Sequence, residues 1–179
     1  MAKKLTRTEK GVIASLSIAM AVVLPILFHS IPNAGSIYSP MHIPVLLCSL
    51  VTGPVFGLIA GILSPIFSSM ITGMPPAAYL PPMVFECAAY GLVAGLLMKL
   101  IRSGMVYVDL YISLSGAMIA GRLFAGLMKA LIFARGSFTM EIFITSYFIT
   151  GFPGIVLHLI SVPILYMSLE KSSLIPVRY

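Results

Sequence analysis

The chain has 179 residues, 59% of them hydrophobic and only 9% charged, with a mean hydropathy of +1.07 and a formal net charge of +6. Soluble domains carry about 25% charged residues, so a soluble enzyme is excluded. The eleven Lys and Arg gather mostly at the ends of long apolar runs rather than on one polar face, which argues against nucleic acid and for orientation in a lipid bilayer.

Lys3, Lys4, Arg7 and Lys10 precede an apolar run over 11–28. That run is long for a signal-peptide core, no A-x-A site follows, and more apolar runs come after it, so it reads as a retained first transmembrane helix. A hydrocarbon core of ~30 Å takes ~20 apolar residues per helix. On that rule six spans are expected, at about 11–28, 36–52, 54–73, 83–101, 106–134 and 145–169, forming one transmembrane domain over residues 1–179. Gly53-Pro54 is a turn signal that divides the second span from the third. The second span is short and contains Pro44, so a kinked or re-entrant element is expected there, and five spans remain an alternative.

With the N-terminus inside, Lys3, Lys4, Arg7, Lys10, Lys99, Arg102, Lys171 and Arg178 fall on the cytoplasmic side and Arg135 alone falls in an outer loop. The bias predicts an all-α integral membrane protein, a compact bundle with both termini cytoplasmic. Two outer connections then stand out: residues 29–40 read HSIPNAGSIYSP and residues 74–82 read MPPAAYLPP, without one Asp, Glu, Lys or Arg. Uncharged loops bearing Tyr38 and Tyr79 suit folding back over a cavity as well as simple turns, and loops on a rigid scaffold often carry function.

Small residues are expected to set the packing. Gly53, Gly57 and Gly61 make two GxxxG steps and Gly91 and Gly95 a third, which lets helix backbones approach closely in lipid. In the first helix, Ser15/Ala19 and Ser17/Ala21 are small-xxx-small pairs, and the absence of charge between Gly11 and Phe28 leaves a surface for lipid or a partner.

Charged groups inside spans are costly and point to polar interiors. Arg122 and Lys129 lie seven residues apart, two helical turns, and share a face of the fifth span. Lys129 can snorkel, whereas Arg122 is too deep and needs an internal partner. Glu86 opens the fourth span with Tyr90 four residues on, on the same face. His158 lies at a similar depth to Arg122 in the sixth span, where a hydrogen-bonded structural role competes with ligand contact. Asp109 is expected to pair with Lys99 or Arg102 at the cytoplasmic interface. Arg122 and Lys129 against Glu86 leave the outer half at +1, suited to a carboxylate ligand. Candidate ligand contacts are Asn33, Tyr38, His42, Tyr79, Glu86, Tyr90, Arg122, Lys129 and His158.

No GxSxG, HExxH, P-loop or Asp-rich metal motif occurs, and no cofactor or metal is expected. Cys48 and Cys87 lie in apolar runs, where Cys acts as a small hydrophobe.

The segments IPNAGSIYSPMHIPVLLCSLVTGPVFGLIAGILSPIFSSMITGMPP and YLPPMVFECAAYGLVAGLL, with the basic N-terminus and six spans in under 200 residues, resemble the substrate-binding S components of energy-coupling factor (ECF) vitamin transporters. The resemblance covers essentially the whole chain. It implies a bacterial plasma-membrane protein that captures a water-soluble vitamin in an outward pocket capped by the first two outer loops. Pantothenate is the first candidate, pyridoxine or hydroxymethylpyrimidine the next. It also implies partners: a transmembrane coupling subunit, met by helix one through an Ala-xxx-Ala-like surface, here Ser15, Ser17, Ala19 and Ala21, and two ATPase subunits. Two other classes stay open: an intramembrane enzyme using Glu86, His158 and Arg122 on lipid, and a stand-alone ion-coupled carrier.

Overall fold

The computed structural model describes residues 4–28, 34–134 and 138–175. Every regular element among them is helical: α1 (Arg7–Leu27), α2 (Ala34–Tyr38), α3 (His42–Thr52), α4 (Pro54–Thr72), α5 (Leu80–Leu100), α6 (Val106–Met128), α7 (Met140–Ile144) and α8 (Phe152–Lys171). Two wider π-helical turns, Lys129–Phe133 and Thr145–Ile149, extend α6 and join α7 towards α8. Taking α2 with α3, α6 with its π turn, and α7 through α8 as single spans, six segments of the described chain are long and apolar enough to cross a membrane.

The first helix begins four residues before the expected apolar start. Thr6 accepts the Glu9 backbone N–H at 3.2 Å while the Glu9 carboxylate accepts the Thr6 N–H at 2.7 Å, a reciprocal cap that satisfies two otherwise orphaned donors. The second span is broken, as Pro44 had suggested, but the break lies ahead of the proline at 39–41. Ser39 there takes a left-handed backbone (φ 45°), and α3 starts afresh at His42. Gly53 (φ 99°) makes the tight turn between α3 and α4, with Pro54 opening the next helix.

Helix α5 is central, packed against α3, α4 and α6. Its seam with α4 is drawn together by the glycines. A Cβ on Gly57 would run into the Gly91 carbonyl and the Ser49 side chain, and one on Gly61 into the Cys87 carbonyl. The Ser49 hydroxyl donates to the Gly91 carbonyl across the same seam. The GxxxG steps therefore pack the bundle internally. On the other side of α5, Leu50, Tyr90, Met98, Leu114, Val162 and Tyr166 fill the core, while Leu16, Val23, Ile59, Leu123 and Ile160 stand exposed on the outside. Apolar side chains on the perimeter and polar ones at the centre suit a bundle surrounded by lipid.

Asp109 also serves the backbone. It is fully buried in the first turn of α6, and its carboxylate accepts the Ser103 backbone N–H at 2.9 Å, tying down the 101–105 connection. Cys48 and Cys87 are free and buried, as small hydrophobes are.

Candidate functional site

At the end of the bundle where α2, the 39–41 break and the 74–79 connection meet lies a cavity of about 490 Å³. That falls within the ~300–1,000 Å³ range of small-molecule sites. Its walls come from Pro25 and Phe28 at the end of α1, from Ser36 and Ser39, from Met74 to Pro76 with Tyr79, and from Met83 on α5; His42 lines it from the first turn of α3. The two uncharged connections singled out in the sequence thus face one hollow.

Through His42 it adjoins a polar cluster gathered from four helices. Tyr90 donates its hydroxyl to Glu86 Oε1 at 2.7 Å, the one-turn spacing on α5 having placed both on one face. Arg122 on α6 then donates from Nε to the Tyr90 hydroxyl at 3.2 Å and holds its guanidinium 5.9 Å from the centre of the Phe148 ring. The result is a relay, Arg122 to Tyr90 to Glu86, in which one phenol joins a buried cation to a buried carboxylate. Glycine at 121 makes room for it, since a Cβ there would strike the Tyr90 ring.

Two imidazoles complete the layer. The His42 ring meets Tyr90 edge-on at 5.0 Å and His158 at 5.7 Å. His158 Nε2 stands 3.1 Å from the Ser39 carbonyl oxygen; a carbonyl only accepts, so this nitrogen donates, pinning the 39–41 break to α8. Helix α8 approaches closely here because Gly154 packs against the Ile37 and Tyr38 carbonyls. Neither ring nitrogen of His42 has a partner among the described residues, although His42 is 97% buried by its 3% exposure. His158 Nδ1 is unpartnered as well.

Of the residues expected to bind ligand, the structure brings His42, Glu86, Tyr90, Arg122 and His158 together and places His42 and Tyr79 on the cavity. Lys129 lies at the rim, its ammonium 5.7 Å from the Tyr79 ring centre and 5.1 Å from that of Phe138, in the range of cation–π attraction. Tyr38 does not line the cavity; its ring lies 5.9 Å from that of Phe28, which does. Asn33 lies outside the described residues. Arg122 has the internal partner that its depth called for, being joined through Tyr90 to Glu86. Reading the sequence missed Phe28, Met83, Phe148 and the Ser39 carbonyl. Apolar residues in apolar runs carry no signal of their own, and a backbone acceptor carries none.

On α1 the two small-residue pairs part company. Ser17 and Ala21 turn inward and are buried against the bundle, whereas Ser15 and Ala19 face outward beside exposed Val12, Leu16 and Met20.

A six-span helical membrane protein with a ligand-sized cavity at one end of its bundle is the class these features define. The chain belongs to the ECF transporter family as a substrate-specific component: the model of that family matches residues 5–166. No curated protein and no solved structure gives a significant match. The chain is accordingly a multi-pass transport subunit.

Proposed function

We propose that the cavity beneath α2 and the 74–79 connection is the capture site for a small water-soluble vitamin, taken from outside a bacterial plasma membrane. The observation that carries this is the cavity itself: it is ligand-sized, walled by two uncharged connections, and joined at His42 to a buried polar cluster. Its end of the bundle is the outer one on the charge bias, since Lys4, Arg7, Lys10, Lys99 and Arg102 lie at the opposite helix ends. Pantothenate, pyridoxine and hydroxymethylpyrimidine are the candidates, all small enough for such a volume. Ligand would enter between the two connections and be released inward only in complex with a transmembrane coupling subunit and two ATPases, which supply the ATP hydrolysis. Ser15 and Ala19, on the exposed face of α1, form the surface that a coupling subunit can reach; Ser17 and Ala21 serve internal packing instead.

Purification of the tagged protein from native membrane tests the reading. A co-purifying ATPase pair, with ligand uptake dependent on it, supports capture for an importer. Uptake driven by an ion gradient without ATPases, or turnover of a lipid by the isolated protein, contradicts it. Orientation is checked by cysteines introduced at Ser36 and Ala77, which should react with an impermeant reagent from outside, and at Ser103, which should react only from inside.

A further inference from the structure

Lys129 stands apart from the buried polar cluster. It opens the π turn that continues α6, and its span, Val106–Phe133, runs for 28 residues where ~20 suffice to cross a hydrocarbon core. Residue 129 therefore lies about one turn from the outer end of that span, at a depth from which an ammonium reaches the headgroups. Among the described residues the ammonium's contacts are two ring faces, with Phe138 at 5.1 Å and Tyr79 at 5.7 Å to the ring centres, and no carboxylate pairs with it. The next residues in the sequence, 135–137, add a second cation, Arg135, and no acid.

Phe138 also belongs to a second hollow. A groove of about 250 Å³ runs between α6 and α7, lined by Leu123, Leu127 and Ala130 on one side and by Phe138, Met140 and Phe143 on the other. Gly126 lets the Phe143 ring lie against α6, since a Cβ there would strike that ring. Leu123, Leu127 and Met140 are exposed, so the groove opens onto the perimeter of the bundle, where lipid lies. It is smaller than the ~300–1,000 Å³ of sites for compact solutes. Its one polar side chain is Thr139, whose hydroxyl accepts the Ile142 N–H at 3.3 Å and keeps its own hydrogen to donate. An open apolar strip of this kind fits a flexible hydrocarbon chain, which gains dispersion contacts along it. The π turn that begins at Lys129 also brings Ala130 into the groove wall, and such turns gather at functional sites.

We propose that an anionic phospholipid of the outer leaflet docks here, with one acyl chain in the α6–α7 groove and its phosphate on the Lys129 ammonium. The match is twofold, apolar chain to apolar groove and headgroup anion to a cation without a carboxylate partner among the described residues. No described residue lines both this groove and the capture cavity. Lys129 nonetheless touches Tyr79 of the cavity wall, so the headgroup stands beside the cavity whatever solute the cavity takes.

The test is native mass spectrometry of the full chain released from nanodiscs that hold phosphatidylglycerol and phosphatidylcholine in equal amount, with the same acyl chains. One phosphatidylglycerol should stay bound after most lipid has been stripped, in preference to phosphatidylcholine. Lys129→Gln should lower its retention roughly fivefold, the weight of one basic group beside anionic lipid, and Lys129→Arg should restore it. Ala130→Phe, which fills the groove, should reduce retention of either lipid. Thermal unfolding separates lost binding from lost folding, and Leu127→Phe serves should Ala130→Phe fail to fold. Equal retention of the two lipids, retention untouched by Lys129→Gln, or folded wild type stripped bare of lipid overturns the proposal. So does a second copy of the chain, or the coupling subunit, found seated on this face and released by Ala130→Phe while lipid retention stays unchanged.

Discussion

Tyr90 and Gly91 are neighbours in the chain and belong to regions built on opposite rules. Gly91 sits in the α4–α5 seam, where side chains have been removed so that backbones touch and the Ser49 hydroxyl donates to a backbone carbonyl across it. Tyr90 faces the other way, into a layer where five polar side chains from α3, α5, α6 and α8 are held apart at hydrogen-bonding and ring-contact distances next to a cavity. Without a hydrophobic force between helices in lipid, the seam supplies rigidity by close packing. That rigidity lets the adjoining layer keep buried charge and an imidazole with no partner among the described residues. The seam holds α5 in place; the layer uses the place so fixed.

Breaking the seam should have the largest effect. Gly91→Val, or Gly57→Val on the facing helix, forces backbone apart where only a hydrogen atom now fits. Overpacking of well-packed interiors costs ~1–3 kcal/mol and occasionally more, and the contact here is with main chain that cannot rotate away. Thermal unfolding in detergent should show either variant losing most of its folded fraction, with α5 displaced and binding lost as a consequence. Gly11→Ala, at a position with open space around it, should leave the transition unmoved.

Breaking the relay should come next. Tyr90→Phe keeps the ring against His42 but removes the oxygen that joins Arg122 to Glu86. Hydrogen bonds to charged groups contribute ~1.5–3 kcal/mol, so a fall in stability of that order is expected, read from the midpoint of denaturation. Arg122→Gln should act in the same direction, and Arg122→Lys should recover only part, since an ammonium lacks the planar fork that positions Nε towards the phenol.

How far this contrast was legible in the sequence follows from its physics. The seam was visible because glycine at four-residue spacing has few other uses in an apolar run. The Glu86–Tyr90 bond was half visible, as both partners share one turn of one helix. Its extension to Arg122 was not, because a contact between α5 and α6 depends on how two helices are rotated, which the hydrophobic pattern leaves open when every face is apolar. The start of α1 is written in the Thr6–Glu9 capping box, which precedes the apolar run by several residues. The break at 39–41 has no local marker beyond Ser39-Pro40, and it is this break that aims α2 over the cavity. The direction faced by Ser17 and Ala21 needed the bundle to be assembled.

The smallest effect on the isolated chain should come from the outward face of α1. Ser15→Leu and Ala19→Leu alter an exposed surface of the subunit; ligand affinity and unfolding should stay unchanged while association with the coupling subunit, measured by co-purification, declines. Ala21→Leu is the contrast: fully buried, it should destabilise the chain itself.

On this reading the hollow under α2 and the 74–79 connection holds the transported solute. Native mass spectrometry of protein purified gently from its own membrane, compared with a Met83→Trp variant that fills this hollow from α5, tests the claim most directly. The wild type should release a small molecule on collisional activation, and the folded variant should carry none while still recruiting its ATPase partners. The same mass released in equal amount from both proteins would place the solute elsewhere and contradict the account.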